Sequence, residues 1–407
     1  VLSVDDAQRR ILERIESLDI EHVFLTDAVS RVLAEPIVAT RELPAWDNSA
    51  MDGYAIRAAD IADPATQLTV AFEVPAGATK SLTLLPGTAA RIFTGAPLPE
   101  GADTVMIQEN AARVEDKVSF VRSAHLGENV RRRGEDIQPG TTVFPARRLL
   151  SVGDINVLAS LGRSQVPVFR RPRVAILTTG DELVDIDGPA PTRGQIVNSN
   201  AYALAAAVKT AGGVPTILPV VRDDYDATKT AFIEGVSSDV LLTCGGMSVG
   251  DYDYARDVLR ELSGDTFGFW KVALKPGKPL GFGYIGACAT FGLPGNPAST
   301  WVTFELFVRP ALLRLQGHSA VVPVRRSVRV ATAIAAGRKR THYMRVQLSR
   351  DDQGILWATP SRTQSSGALS SIANTDAFAV VLPSDVARER GDSIDVLVLS
   401  ASVDRHS

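Results

Sequence analysis

Cysteine is scarce: two occur in 407 residues, Cys244 and Cys288, both inside apolar runs. A small secreted scaffold stapled by disulfides would use more, and no C-x-x-C pair offers zinc or dithiol redox chemistry. Both thiols read as core residues in a reducing cytosol. The five histidines (His22, His125, His318, His342, His406) lack metal-ligand spacing, and each reads as a surface or core residue. No run of about 18 apolar residues exists, which excludes a membrane-spanning helix. Excess charge is missing too, since 43 Lys and Arg face 46 Asp and Glu for a net −3. Coating of nucleic acid by bulk charge is thereby excluded. Residues 1–6 are acidic and lead straight into helical periodicity, unlike a signal peptide; the absent Met reads as a trimmed start.

Several catalytic signatures are absent as well. There is no G-x-x-x-x-G-K-[ST] loop, no G-x-S-x-G elbow and no Ser/His/Asp set, so covalent catalysis is not suggested. Gly281-Phe-Gly283-Tyr-Ile-Gly286 does match G-x-G-x-x-G. A dinucleotide fingerprint needs a strand before it and a helix after it, whereas β-type segments flank this one on both sides. It reads as a glycine-rich hairpin.

What is present is an ordinary globular composition, 45% hydrophobic and 22% charged, long enough for roughly two to four domains. Ser3 and Asp6 resemble a capping box before Ile11, Leu12, Ile15 and Leu18, which predicts a helix over 5–18. Short β-type runs at 67–74, 90–94, 104–108 and 117–121 alternate with Pro/Gly turns, as in a compact all-β unit. A helix over 149–161 follows, with Gly162 placed to end it. From 171 the pattern becomes apolar strands (173–178, 214–221, 239–243) alternating with helices (201–210, 227–235, 254–262). That pattern predicts a parallel sheet covered on both faces. Strands at 327–331, 343–348, 377–382 and 393–399 then predict a small barrel or sandwich.

In open parallel sheets, ligands bind beyond the carboxyl ends of the strands. Two strands end alike here. One runs into Thr179-Gly180-Asp181-Glu182 and the other into Gly245-Gly246-Met247-Ser248-Val249-Gly250-Asp251-Tyr252-Asp253. Glycine lets a ligand approach the backbone, and acids just beyond suit Mg²⁺ held by a few carboxylates and phosphate oxygens. Asp223 and Asp224 follow the intervening strand. Each acid alone would serve as a helix N-cap; two sets at matching positions favour a site. Lys271, Ala273 and Lys275 alternate onto one strand face, with Lys278 just beyond, and such lysines are costly to desolvate unless they meet an anion. The turn Pro294-Gly295-Asn296-Pro297 starts a helix reaching about Gln316, with Asn296 at the N-cap and Pro297 at the first position. Its N–H groups would face the same site.

Seven segments in register resemble the MoeA / gephyrin E-domain family, the molybdenum-insertion enzymes of molybdenum cofactor synthesis. They are SAMDGYA (49–55), IFTGAPLP (92–99), VRRRGEDI (130–137), TTGDEL (178–183), CGGMSVGDYDY (244–254), KPGKPLGFG (275–283) and GLPGNPAS (292–299). The resemblance runs from about residue 5 to 400. It implies that molybdate enters adenylylated molybdopterin with Mg²⁺-assisted release of AMP, in a cytoplasmic homodimer; charge balance and hydropathy lead to the expectation of no nucleic-acid or membrane partner. An upstream adenylyltransferase and downstream molybdoenzyme apoproteins are the implied partners. Four domains are implied: a helical linker region from 1–39 and 146–170, an inserted β domain at 40–145, a MogA-like α/β domain at 171–320 and a β barrel at 321–400. By position, catalytic roles fall on Asp52, Thr94, Asp136, Glu182, Asp253, Lys271 and Lys275. Molybdopterin contacts fall on Thr179, Gly180, Gly245, Gly246, Ser248, Gly250, Lys278, Pro294, Gly295, Asn296, Pro297 and on Ser366 or Ser370. Metal ligands fall on Glu182, Asp223 or Asp224, Asp251 and Asp253. Asp52 and Asp136 are expected to reach the site from the partner subunit. Rival readings are an adenylyltransferase acting on molybdopterin and a scaffold like gephyrin's related domain.

The near-zero net charge conceals a local separation. Residues 181–187 and 223–226 are acid-rich, while 306–350 contains no Asp or Glu and many arginines.

Overall fold

The computed structural model describes residues 1–63, 65–247 and 254–399. The chain forms two units, His22–Pro167 and a second comprising Val1–Glu21 with Val168–Ser407.

In His22–Pro167 a six-stranded mixed sheet runs in the order Thr104–Ile107, Gly53–Ile56, Thr88–Ile92, Leu68–Val74, Lys117–Phe120, Ala111–Val114. Gly53–Ile56 is buried along its whole length, because it pairs with a strand on each side. Its four residues, Gly-Tyr-Ala-Ile, show no polar/apolar alternation. Gly53 is obligatory there, since a Cβ would strike the backbone of Met106. The helix Val152–Ser160 is closed at its start by a Ser151/Asp154 capping box, and Gly162 ends it at φ +75°.

The second unit is α/β with an all-β appendage. Its sheet has the order Val214–Ile217, Arg173–Thr178, Val240–Cys244, Cys288–Leu293, Pro279–Ile285, Gly268–Lys271. The first four strands are parallel, and the last two add an antiparallel edge. Thr178, Cys244 and Leu293 lie side by side in register, so three strands end at one level. Helices Ser199–Thr210, Tyr225–Gly235 and Tyr254–Ser263 flank the sheet. The strand expected at 214–221 stops at Ile217, with a single further bridge between Val221 and Thr179.

The G-x-G-x-x-G run is indeed a hairpin. Gly286 takes φ +59° in its turn, and Gly281 pairs with Gly292 across it. Both glycines leave space for the buried Met247 side chain, and Gly283 does so for Ser263.

The N-terminal helix covers only Val4–Leu12, shorter than the 5–18 expected, although Ile15 remains in the core. It packs on a long helix that is α over Pro297–Thr303, π over Phe304–Val308 and α over Arg309–Leu315. Pro310 explains the π segment: it has no N–H to offer the Leu306 carbonyl four residues earlier. That carbonyl accepts instead from the buried Gln8 Nε2 at 2.7 Å.

The C-terminal strands close into a barrel. Thr341–Arg350 pairs with Leu356–Pro360 on one edge and Ala377–Val381 on the other, and Arg325–Val330 and Ser393–Val398 complete the circle. Leu356–Pro360 has no clear sequence signal. Leu274–Lys275 adds outside, with Lys275 opposite His342.

Candidate active site

The common level of the three parallel strand ends produces the site. Backbone bonds lace the first residues beyond it: Thr179 N donates to Cys244 O, Gly245 N to Leu293 O and Gly180 N to Val221 O. Gly245 takes φ +100°, and a Cβ there would lie 2.6 Å from the Thr179 carbonyl. Only glycine lets these two turns approach so closely. A cavity of about 620 Å³ opens over them, lined by Thr179, Gly180, Glu182, Asp223, Gly245 and Gly246. Lys278, Pro294, Gly295, Asn296 and Pro297 belong to the same lining.

The Glu182 carboxylate lies over Gly180. Asp181 and Asp223 each donate a backbone N–H to the other's carboxylate, so Glu182 and Asp223 enter the cavity from one cross-linked pair of turns. Asp224 serves the fold instead, since its side chain accepts from Ala227 N and caps the helix Tyr225–Gly235. Of the two acids, Asp223 lines the cavity and Asp224 does not. Thr179 Oγ1 is buried at the cavity wall with no hydrogen-bond partner among the described residues, a polar atom that a ligand would satisfy. Ser248, Gly250, Asp251 and Asp253 lie outside the described residues.

The lysines separate. Lys278 lines this cavity, but Lys275 lines another, of about 910 Å³, with Arg338, Lys339, Arg340 and His342. Lys271 lines neither and is exposed. The expected face of Lys271, Ala273 and Lys275 is broken because the segment pairs twice, Lys271 with Pro279 in one sheet and Lys275 with His342 in the other.

The 294–297 turn is held by residues that sequence reasoning missed. Asn200 Nδ2 donates to Gly295 O at 2.6 Å, Thr300 Oγ1 to Pro294 O at 2.6 Å, and the Cys244 thiol to Pro294 O. Asn198 Nδ2 donates to Thr178 Oγ1 and fixes the preceding strand end. The only sequence signal was the Asn198-Ser199-Asn200 start of a helix. Burial pushes the Cys244 thiol up to about 11, so it positions the turn as a thiol and is no nucleophile. Asn296 stands at the N-cap without a side-chain capping bond, and the Ala298 N–H is taken by the Ser366 carbonyl. Fewer helix N–H groups are therefore available than the sequence suggested.

Ser366 thus meets the helix start through its backbone carbonyl, whereas Ser370 is exposed and its carbonyl accepts from Asn374. The loop is anchored by Arg345, fully buried, whose guanidinium donates to Ser371 Oγ and to the carbonyls of Thr363 and Ser365.

In His22–Pro167, Asp52 and Thr94 form a pair. The Asp52 carboxylate accepts from Thr94 N at 2.7 Å and from Thr94 Oγ1 at 2.8 Å. The Thr94 N–H, then its hydroxyl, hold the Asp52 carboxyl below its ordinary range. Arg91 lies between Tyr54 and Phe93 and donates to Gly53 O and Gln108 Oε1. Asp136 is exposed, its backbone tied to Leu43 O.

Residues 2–162 match the MoeA N-terminal region (domain I and II), 175–314 a probable molybdopterin binding domain and 327–399 the MoeA C-terminal region (domain IV). A molybdopterin molybdenumtransferase of Nostoc sp. is 40% identical, covering 98% of this chain and 94% of its own length. The chain belongs to the MoeA family. A second family member with that name, from Bacillus subtilis, is 34% identical over the same shares. Among solved structures, a MoeA molybdopterin biosynthesis protein of Pyrococcus horikoshii superposes with TM-score 0.83 at 30% identity. That match covers 98% of this chain and 99% of the other. The MoeA family matches thus span both units and the barrel. Among the described residues no helix is long and apolar enough to cross a membrane.

Proposed function

We propose that this chain is a molybdopterin molybdenumtransferase of molybdenum cofactor synthesis, which takes molybdate into adenylylated molybdopterin and releases AMP. The observation that supports it most is the strand-end cavity, which Glu182 and Asp223 line together with Lys278 and the Pro294–Pro297 turn, in a chain of the MoeA family.

Lys278 meets the phosphate charge, and the Thr179 hydroxyl donates to the same ligand. The close turns at Gly180, Gly245 and Gly246 let its backbone-hugging part sit low in the cavity. Two carboxylates suit Mg²⁺, which takes one or two of them and completes its shell with water and phosphate oxygens. Glu182 and Asp223 would hold it, and when bound it supplies Lewis-acid polarisation of a phosphoryl oxygen. Molybdate enters by the cationic cavity around Lys275. The segment Lys275-Pro276-Gly277-Lys278 contributes to both cavities, so the two anionic substrates are held by one short stretch of chain. Among the described residues neither cavity is lined by an activated nucleophile such as a thiol, so positioning and electrostatics supply the rate. Asp52 and Asp136 complete the site from the partner subunit of a cytoplasmic homodimer. The four-domain division at 39/40, 145/146, 170/171 and 320/321 belongs to the same proposal, as do the exchanges with an upstream adenylyltransferase and downstream apoproteins.

The test is AMP release from adenylylated molybdopterin by the full chain. Release that requires both molybdate and Mg²⁺ is expected. Absence of release by folded protein overturns the reading, and attachment of AMP to molybdopterin from ATP without molybdate would favour an adenylyltransferase.

A further inference from the structure

The Lys275 cavity contains one group that electrostatics alone does not explain. Its wall carries Lys275, Arg338, Lys339 and Arg340, and no Asp or Glu among the described residues that line it. Against these cations stands His342, whose Nε2 is buried with no hydrogen-bond partner among the described residues. The groups facing it come from every neighbouring element: Lys275 from the paired outer strand, apolar Val381 from the other paired strand, Gln364 from the segment that follows Leu356–Pro360, and Arg338, Lys339 and Arg340 from the preceding turn. Arg345, on its own strand, adds a further positive field. An orphaned ring nitrogen in such a place is costly unless a ligand supplies its partner.

We propose that a tetrahedral dianion entering the Lys275 cavity draws a proton from solvent onto His342, whose Nε2–H then donates to one of its oxygens. The inference rests on the reading of this cavity as the oxyanion site. Burial first, then the fields of Lys275, Arg345 and Arg340, press the free imidazole down to about 4, so it is neutral at physiological pH. A dianion brought among those cations reverses the field at Nε2 and makes the charged ring favourable. Binding and protonation are then linked, and the sign is definite. Affinity is highest at low pH and falls as pH rises, until the bound histidine is also neutral. His342 thereby makes oxyanion capture proton-dependent, a property that lysine and arginine walls alone do not confer.

Isothermal titration of molybdate, and separately of sulfate, into the full chain tests this at about pH 6.5, near the ordinary histidine range. Two buffers of different ionisation enthalpy report the protons taken up per anion. Wild type is expected to take up protons and to lose affinity by up to about tenfold per pH unit. His342→Gln is expected to bind with no uptake and a flat pH dependence. Binding without proton uptake in wild type overturns the proposal, as does equal uptake in the variant. If neither anion binds wild-type protein, the oxyanion reading of the cavity falls and the proposal falls with it. That outcome is told apart by the absence of any binding heat.

Discussion

If Asp52 meets the anionic substrate as proposed, its carboxylate must stay ionised there, and Thr94 gives it two hydrogen-bond donors. Thr94→Val preserves shape and the backbone donor but deletes the hydroxyl. The Asp52 carboxyl then moves up towards its ordinary value, so the acidic limb of the pH–rate profile is expected to shift to higher pH. At neutral pH, kcat/KM should fall on the order of tenfold, the scale of one bond to a charged group. An unmoved acidic limb would remove Asp52 from the rate profile. Arg91, stacked between two rings, supports the same turn from behind by bonding Gly53 O and Gln108, while Gln108 N bonds Asp52 O. None of this was visible in the SAMDGYA and IFTGAPLP segments taken singly, where each polar residue reads as a turn. Their partnership exists only because Gly53–Ile56 and Thr88–Ile92 are neighbouring strands.

Elements legible in sequence were those whose signal is local. The strand 173–178, the helix stop at Gly162 and the glycine hairpin at 281–286 declare themselves through apolar runs and turn residues. Elements set by distant partners were not. The N-terminal helix ends at Leu12 although its periodicity continues, and the helix from Pro297 contains a π segment whose freed carbonyl is answered by Gln8, some 300 positions away. That bond predicts a stability effect separate from catalysis. Gln8→Leu leaves the buried Leu306 carbonyl unpaired, at a cost of about 1–3 kcal/mol. The melting temperature measured by calorimetry should fall by roughly 2–4 °C per kcal/mol. AMP release per folded molecule should not change, because Gln8 touches neither cavity. A change in turnover with no change in melting would mean that the π segment matters to the site and not to the fold. Met247 illustrates the same limit. Its length looks arbitrary in GGMSVGD, yet it fills the space left by Gly281 and Gly292 on the paired hairpin strands.

At the scale of the whole chain, the near-neutral charge sum results from acids and bases segregated in sequence and then placed at different cavities. The acid-rich turns at 181–187 and 223–226 supply Glu182 and Asp223 to the strand-end cavity, and the acid-free 306–350 span supplies Arg338, Lys339 and Arg340 to the other. The span itself was legible; that it encloses a cavity with Lys275 was not, because the two are joined only by barrel register. Both cavities belong to one unit, while Asp52, Thr94 and Asp136 belong to His22–Pro167. If the proposed reaction draws on both units across a two-fold dimer, lesions in the two must complement each other. Asp52→Ala and Glu182→Ala homodimers would each be inactive. A mixed dimer would retain one site with both acids and one with neither, because symmetry repeats each contribution once. Random reassembly makes half the dimers mixed, so about one quarter of wild-type AMP release should return. Sharing within a single chain predicts no recovery at all, since every site then carries one lesion.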